Sequence, residues 1–312
     1  LTSSEDFQTA ITFVEMKLAA IDIGSNAVRL LIAMVVETSP HPVFKKVELV
    51  RVPIRLGEDA FVQGRISEKK INMLIKAMLA FRQLIDVFEA TAWRVCATSA
   101  MRDASNREEV IRRVKQETGL QIEIVDGKSE ARIIYSSHIA EELDRNASYL
   151  YIDVGGGSTE LTLFSDNQIA ASQSFNIGTI RILHEQVSRE EWEKMKSWIQ
   201  LHTGDAGNIE AIGSGGNINK IYKIAYGKAS KPMPTKKIKE IADYISEFSY
   251  DERIVHLGLN EDRADVILPA CKIFLTVCKS AGIDKIHVPQ TGLSDGIVHL
   301  LYEEHLASKK KG

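Results

Sequence analysis

Two short stretches carry residue types that could hold a phosphate chain. Asp22-Ile23-Gly24-Ser25-Asn26 and Asp153-Val154-Gly155-Gly156-Gly157-Ser158-Thr159-Glu160 each set a carboxylate just before a turn of glycine and small polar residues. Glycine supplies positive φ in such turns, so backbone N–H groups point inward and form an anion cradle. A carboxylate beside the cradle can position a cation, and the hard oxygens of Asp153 and Glu160 suit Mg²⁺, which keeps most of its waters. Arg29 and Arg102 offer planar donors to phosphate oxygens. Arg263 is a further guanidinium candidate at the mouth of the same site.

Each turn lies between two apolar runs, so each unit reads as a β-hairpin. Two copies of strand–turn–strand point to a duplicated α/β domain whose turns clasp a phosphate chain from both sides of a cleft. In the first copy a third strand is expected over residues 42–57, followed by a loop over 57–64. Ile71, Leu74, Ile75, Met78, Phe81, Ile85 and Phe88 then recur at helical spacing over 67–89, with Ser67 as N-cap. A short strand over 93–97 leads into Thr98, Ser99 and Arg102, ahead of a helix over 106–118. Hydroxyls and a guanidinium at a strand's carboxyl end stand where ligands sit in open α/β sheets. Thr98 or Ser99 can equally serve to cap a turn. A strand over 120–125 precedes Gly127 and a helix carrying Glu130 in its first turn, where a Glu ordinarily complements the helix dipole.

The second copy repeats the plan, with strands over 149–154, 159–164, 168–175, 210–212 and 285–289. Helices are expected over 190–201, 218–226, 264–278 and 292–305. Gly213-Ser214-Gly215-Gly216 forms a strand-to-helix junction, where the backbone can approach a ligand and the helix N-terminus faces anions. The same four residues could also make a flexible turn. Lys220, Lys223, Lys228, Lys231, Lys236, Lys237 and Lys239 cluster around Pro232 and Pro234. They read either as a solvated loop or as a positive rim that guides a polyanion into the cleft.

Composition narrows the function classes. A chain of 312 residues, 44% hydrophobic and 26% charged, is an ordinary globular protein long enough for two domains. A net charge of −3 argues against a basic nucleic-acid surface. No apolar run approaches a membrane span, and residues 1–15 lack a basic leader region, reading instead as a peripheral extension. Cys96, Cys271 and Cys278 have no metal-ligand spacing and suit structural thiols of a reducing cytosol. The expectation is a cytoplasmic protein with neither nucleic acid nor membrane as partner.

The hairpin pair resembles the phosphate loops of the acetate kinase, sugar kinase, heat-shock ATPase and actin superfamily. Within it, Gly24-Ser25-Asn26 with Val28-Arg29-Leu30, together with Gly155-Gly156-Gly157-Ser158-Thr159-Glu160, is similar to the exopolyphosphatase and guanosine pentaphosphate phosphohydrolase family. The likeness runs from about residue 17 to the end. It implies an α/β fold of two duplicated actin-like (ribonuclease H-like) domains, each a mixed five-stranded sheet flanked by helices, with an interdomain cleft. Residues 1–132 would form the first domain and 133–298 the second, with a C-terminal helix around 299–312 packing back on the first.

The same resemblance implies a Mg²⁺-dependent hydrolase. It would take terminal phosphate from inorganic polyphosphate, or convert guanosine pentaphosphate to guanosine tetraphosphate, and a homodimer is among the assemblies implied. Glu130, in Gly127-Lys128-Ser129-Glu130-Ala131-Arg132, looks like the family's water-activating Glu between the domains, with help from Glu160. Arg102 matches a phosphate-contacting segment, and Gly213 to Gly216 matches the loop that lies against the nucleoside in the kinases and actins. Neither a Walker loop nor a Cys-x₅-Arg phosphatase signature is present, so water is the simplest nucleophile. Ala27 stands where the family commonly has Ser, and residues after 312 would be needed for the extra helical domains of longer relatives. Short polyphosphates or the guanosine nucleotide are therefore the expected substrates. Two rivals share these motifs: a small-molecule kinase of the superfamily and a non-catalytic guanosine tetraphosphate sensor.

Overall fold

A computed structural model describes residues 15–37, 41–127, 129–130, 133, 147–165, 168–204, 209–227, 231–289 and 291–309. The N-terminal extension, most of the helix expected from Ile133 onward, Ala131, Arg132, Lys128, Lys228 and the basic tail after Lys309 lie outside the described residues.

The first sheet contains β1 (Glu15–Ile23), β2 (Val28–Val36), β3 (Val43–Val52), β4 (Ala92–Ala97) and β5 (Ile122–Ile124), in the order β3-β2-β1-β4-β5. β1 is antiparallel to β2 and parallel to β4. It occupies the centre with both faces covered, which is why it reads as a near-continuous apolar run. Ala19, Ile21 and Ile23 face one core with the helix Glu68–Val87, and Leu18 and Ala20 face the other. The latter core is closed by Leu293, Ile297, Val298, Leu301 and Tyr302 of the last helix, Leu293–Lys309. Gly296 allows that helix to lie on the backbone of Ile133, since any Cβ there would overlap the Ile133 carbonyl.

The second sheet repeats the order with β6 (Ser148–Val154), β7 (Thr159–Ser165), β8 (Gln168–Phe175), β9 (Ile209–Ser214), β10 (Met233–Pro234) and β11 (Lys285–His287). Its order is β10-β11-β9-β6-β7-β8. The five-stranded plan is therefore present twice as actin-like units, and the second unit gains a two-residue edge strand that its sequence does not announce. Leu150, Ile152 and Val154 pack with Ile218, Ile221 and Phe274 in the second core.

Several local expectations change. β3 stops at Val52, and residues expected as a loop form the helix Leu56–Val62, because Leu56, Ala60 and Phe61 all bury on one side. The helix expected over 264–278 is broken into Glu261–Ala264 and Ile267–Ser280. The lysine cluster is mostly helical rather than a loop: Lys220 and Lys223 ride on Gly216–Tyr226, while Lys237 and Lys239 pair with Glu240 and Asp243 on Thr235–Ser246. Ser67 does cap its helix, accepting from the Lys70 N–H. The three cysteines are buried free thiols. No helix among the described residues is long and apolar enough to cross a membrane.

Candidate active site

Both hairpin turns project into one cleft, where they line a cavity of about 110 Å³. The backbone explains how they get there. Gly24 N–H bonds Ala27 O at 3.1 Å, and Gly155 N–H bonds Ser158 O at 2.9 Å, so each turn is closed on itself in the same way. None of the turn glycines adopts positive φ, contrary to the expectation from the turn type. Their missing side chains serve close approach instead. A Cβ on Gly156 would stand 2.9 Å from Ser25 Cβ, so the two turns pack directly on each other. The first turn is further held by Arg55 N–H to Asn26 O (2.9 Å) and Gly57 N–H to Ser25 O (2.8 Å).

The cavity gathers Gly24, Ser25, Asn26 and Arg29 from the first hairpin and Gly155, Gly156, Ser158 and Glu160 from the second. Thr98, Ser99, Glu130 and Asp153 join them, as do Ser214, Gly215, Gly216 and Arg263. The Ser25 and Ser99 hydroxyls share a hydrogen bond of 2.9 Å. Gly215 is the one glycine of the site with positive φ, at 106°, and it turns β9 into the helix that follows.

Four expected ligand contacts do not line it. Gly157 receives the ring of Phe61 from the first half, which any Cβ there would overlap. Thr159 is fully buried and donates to Ile177 O at 2.5 Å, so it ties β7 to the chain after β8. Gly213 sits in the core, where a Cβ would stand 2.7 Å from Ile286 Cδ1. Arg102 stands beside the cavity with Asp103 at 3.5 Å, close enough for its charge to be felt by Glu130 and Glu160.

Asp153 and Glu160 are directly opposed across β6 and β7, so their side chains share one face. Glu160 Oε1 accepts from Ser158 Oγ at 2.6 Å and Ser174 Oγ at 3.0 Å. Glu130 approaches from the helical turn that starts at Gly127, whose absent side chain leaves room for Glu160 Cγ and Ser174. Asp126 Oδ1 accepts from Ser129 N–H at 2.7 Å and starts that turn.

Glu130 and Glu160, both buried, and the partly buried Asp153 therefore lie close enough for their charges to be felt by one another. Burial, followed by the charges of Glu160, Asp153 and Asp22, holds the Glu130 carboxyl well above its ordinary range. Burial and the Glu160 and Asp22 charges push Asp153 up to about 7, opposed by Arg29. Burial also raises Glu160, against the pull of the Ser158 and Ser174 hydroxyls and of Arg102. Such a cluster asks for a cation. Among the described residues no three His, Cys, Asp or Glu side chains converge as a ready-made metal cage. Two carboxylates with water and phosphate oxygens completing the shell is the habit of Mg²⁺ rather than of a caged metal, so the donor set fits Mg²⁺.

Residues given no part in the site from the sequence complete it, together with Asp22, the carboxylate noted before the first turn. Asp22, Arg51, Thr179 and Asn217 also line the cavity. Asp22 and Arg29 are register partners across β1 and β2, and their side chains form a 2.6 Å ion pair. Arg51 is the register partner of Arg29 on β3. The matching position of Asp22 and Asp153 in the two hairpins was a usable signal, whereas Arg51 lies in a charged edge strand with no motif. The cavity continues into a second space of about 440 Å³, lined by Lys46, Lys220 and Lys223 as well as Arg29, Arg51 and Arg263. The two arms of the positive-rim reading thus separate: Lys220 and Lys223 border the cleft, and Lys237 and Lys239 form surface pairs.

The chain is similar to several known proteins. Residues 31–305 match the family model of the Ppx/GppA phosphatase family. The chain is 30% identical to the bifunctional 3-dehydroquinate synthase/phosphatase of Fusobacterium nucleatum, over 87% of this chain and 44% of that protein. It thus spans less than half of that relative's length. It is 27% identical to exopolyphosphatase 2 of Mycobacterium tuberculosis, over 90% of this chain and 97% of that one. The crystal structure of the Aquifex aeolicus Ppx/GppA family member superposes with a TM-score of 0.73 at 27% identity, covering 93% of this chain and 99% of the other.

Proposed function

As the chain belongs to the Ppx/GppA phosphatase family, we propose that it is a phosphoanhydride hydrolase. It releases terminal phosphate from inorganic polyphosphate, from the 5′ end of guanosine pentaphosphate, or from both. The observation that carries this reading is the buried Glu130 carboxyl, which lines the same small cavity as two phosphate-type turns. Phosphoryl transfer needs little covalent chemistry from the protein, but it needs positioning, charge neutralisation and an oriented nucleophile. The turn amides and Arg29 and Arg263 hold the phosphate oxygens, and Glu130 takes the proton from the attacking water. Glu160, fixed by two serine hydroxyls, orients that water with Glu130, and with Asp153 it would hold Mg²⁺. Mg²⁺ held there would supply charge neutralisation on the phosphate oxygens.

Two further features favour hydrolysis over a superfamily kinase. Arg263 and Arg29 crowd Gly216, the stretch that faces the nucleoside in kinases: a Cβ there would lie 3.0 Å from Arg263 Nη2 and 3.5 Å from Arg29 Nη2. That corner is built for anions rather than for an adenosine. The direct packing of the two turns also leaves room for little more than a chain end beside the carboxyls. The protein is read as cytoplasmic, in keeping with its buried, unpaired thiols.

The test is phosphate release with Mg²⁺ from polyphosphate, guanosine pentaphosphate and ATP in parallel, with Glu130→Gln as control. Glu130-dependent release from either of the first two, with ATP inert, is expected. Absence of release from all three overturns the reading in favour of a sensor.

A further inference from the structure

We propose that Asp262 is a positioning residue which, from the second half of the molecule, fixes Asn26 of the first phosphate turn and holds the cleft closed. This rests on the hydrolase reading above. Asp262 lies on the short helix Glu261–Ala264 and is 4% exposed, although it is a charged residue in a loop-rich segment. Its partners come from the other half of the chain. Asn26 Nδ2 donates to the Asp262 backbone O at 2.8 Å and to its Oδ2 at 2.9 Å. Arg51 Nη1 donates to Oδ1 at 3.0 Å, and Arg51 Nη2 makes the shorter contact with Oδ2. The carboxylate is thus gripped bidentately by a guanidinium while it grips the amide of a phosphate-turn residue.

The surrounding charges explain why this position matters to the reaction rather than to folding alone. Asp22, Arg29 and Arg51 stand side by side in register across β1, β2 and β3. Asp22 compensates Arg29 from one end of this row, and Asp262 compensates Arg51 from the other. Arg263 follows Asp262 directly and lines the cavity, with no carboxylate within ion-pair distance among the described residues. Anchoring Asp262 therefore sets three things at once: the amide plane of Asn26, the charge of Arg51 and the entry of Arg263 into the site. A second cross-cleft pair, Arg55 with Asp265 at 2.7 Å, lies at the same end, but neither side chain lines the cavity, and Arg55 meets Asn26 only through its backbone N–H, which a change at Asp265 leaves in place. If Asp262 merely glued the halves together, the two pairs would be interchangeable. The geometry makes them different.

The experiment uses the full chain carrying Asp262→Ala, Asp262→Asn or Asp265→Asn. It measures kcat and KM on linear polyphosphate with Mg²⁺, and the radius of gyration by small-angle scattering. Asp262→Ala is expected to lower kcat by about 10–100-fold, the effect of misplacing a binding group by roughly an ångström. Its KM holds or falls, because the freed Arg51 adds positive charge. Asp262→Asn keeps an acceptor for Asn26 and recovers part of kcat with the same KM trend, whereas Asp265→Asn retains wild-type kcat. The proposal is overturned by an unchanged kcat in Asp262→Ala, or by an equal loss in Asp265→Asn. Should Asp262→Ala not fold, Asp262→Asn decides, and unchanged kcat and KM there overturn it. Should the wild type release no phosphate, the hydrolase reading fails separately, and scattering decides the closure: an Asp262→Ala chain as compact as wild type overturns the proposal, and an expanded one supports it.

Discussion

Gly156 of the second turn rests on Ser25 of the first, so closely that a single added methyl would meet Ser25 Cβ and Ile180 Cδ1 at 2.9 Å. The two halves therefore touch at the point where the proposed site would hold phosphate. Gly156→Ala is expected to wedge the turns apart and to reduce kcat more than stability, with a folding cost of about 1–3 kcal/mol for the overpacking. Steady-state kinetics beside chemical denaturation would check this, and wild-type turnover in the variant would refute it.

Among the described residues, Glu130 is the only carboxyl of the cluster contributed by the stretch between the two sheets. Glu130→Gln keeps its size and removes its basicity, so kcat should fall by about 10²–10⁴-fold with KM little changed. Single-turnover phosphate release measures the chemical step directly. Undiminished turnover removes Glu130 from the role.

The carboxyl cluster is expected to make stability depend on pH. Asp153 is raised from 3.8 to about 7, and Glu130 and Glu160 are raised from 4.5, each first by burial. Between those values the folded state holds protons that the unfolded chain has released, so stability falls as pH rises from about 4 through about 7. If Mg²⁺ binds there as proposed, adding it is expected to take the place of the protons and flatten the decline. Denaturation midpoints across that range, with chelator and with Mg²⁺, check the sign. A midpoint that rises with pH in chelator contradicts the clustering.

Arg29 donates to Asp22 at 2.6 Å while lining the cavity, so it is already oriented before substrate arrives. Arg29→Ala is expected to raise KM well above its effect on kcat, since a preset donor binds ground and transition states alike. A fall in kcat alone would make it a transition-state group.

Cys96, Cys271 and Cys278 have their thiols pushed up to about 12, in each case first by burial. The thiolate is the reactive form, so native protein should resist thiol reagents at mildly alkaline pH and react fully once denatured. Rapid labelling of any one of them in the native state would show that its surroundings open.

Much of this protein was legible in its residues alone. The paired hairpins, the order of strands and helices, the Ser67 cap and the two-turn site all rest on short-range patterns: apolar period, glycine punctuation and a carboxylate before a turn. These are local because backbone geometry repeats over a few residues. The sixth strand of the second sheet was not legible, since Met233 and Pro234 pair with β11 only through an edge some fifty residues away in the chain, with no period of their own. Nor was the helix Leu56–Val62, whose burial depends on what lies across from Phe61. Within the site, types and spacing marked the glycines but could not divide them. Gly156 meets the opposite turn, Gly157 accepts an aromatic ring, and Gly213 belongs to a core. Asp262 carried no motif at all, because its meaning comes from Arg51, 211 positions away, and Asn26, 236 positions away. Residue types determined the chemistry this chain can offer. Only folding, which brings distant charges out of water and against one another, decided which of them are spent on holding the cleft and which are left for phosphate.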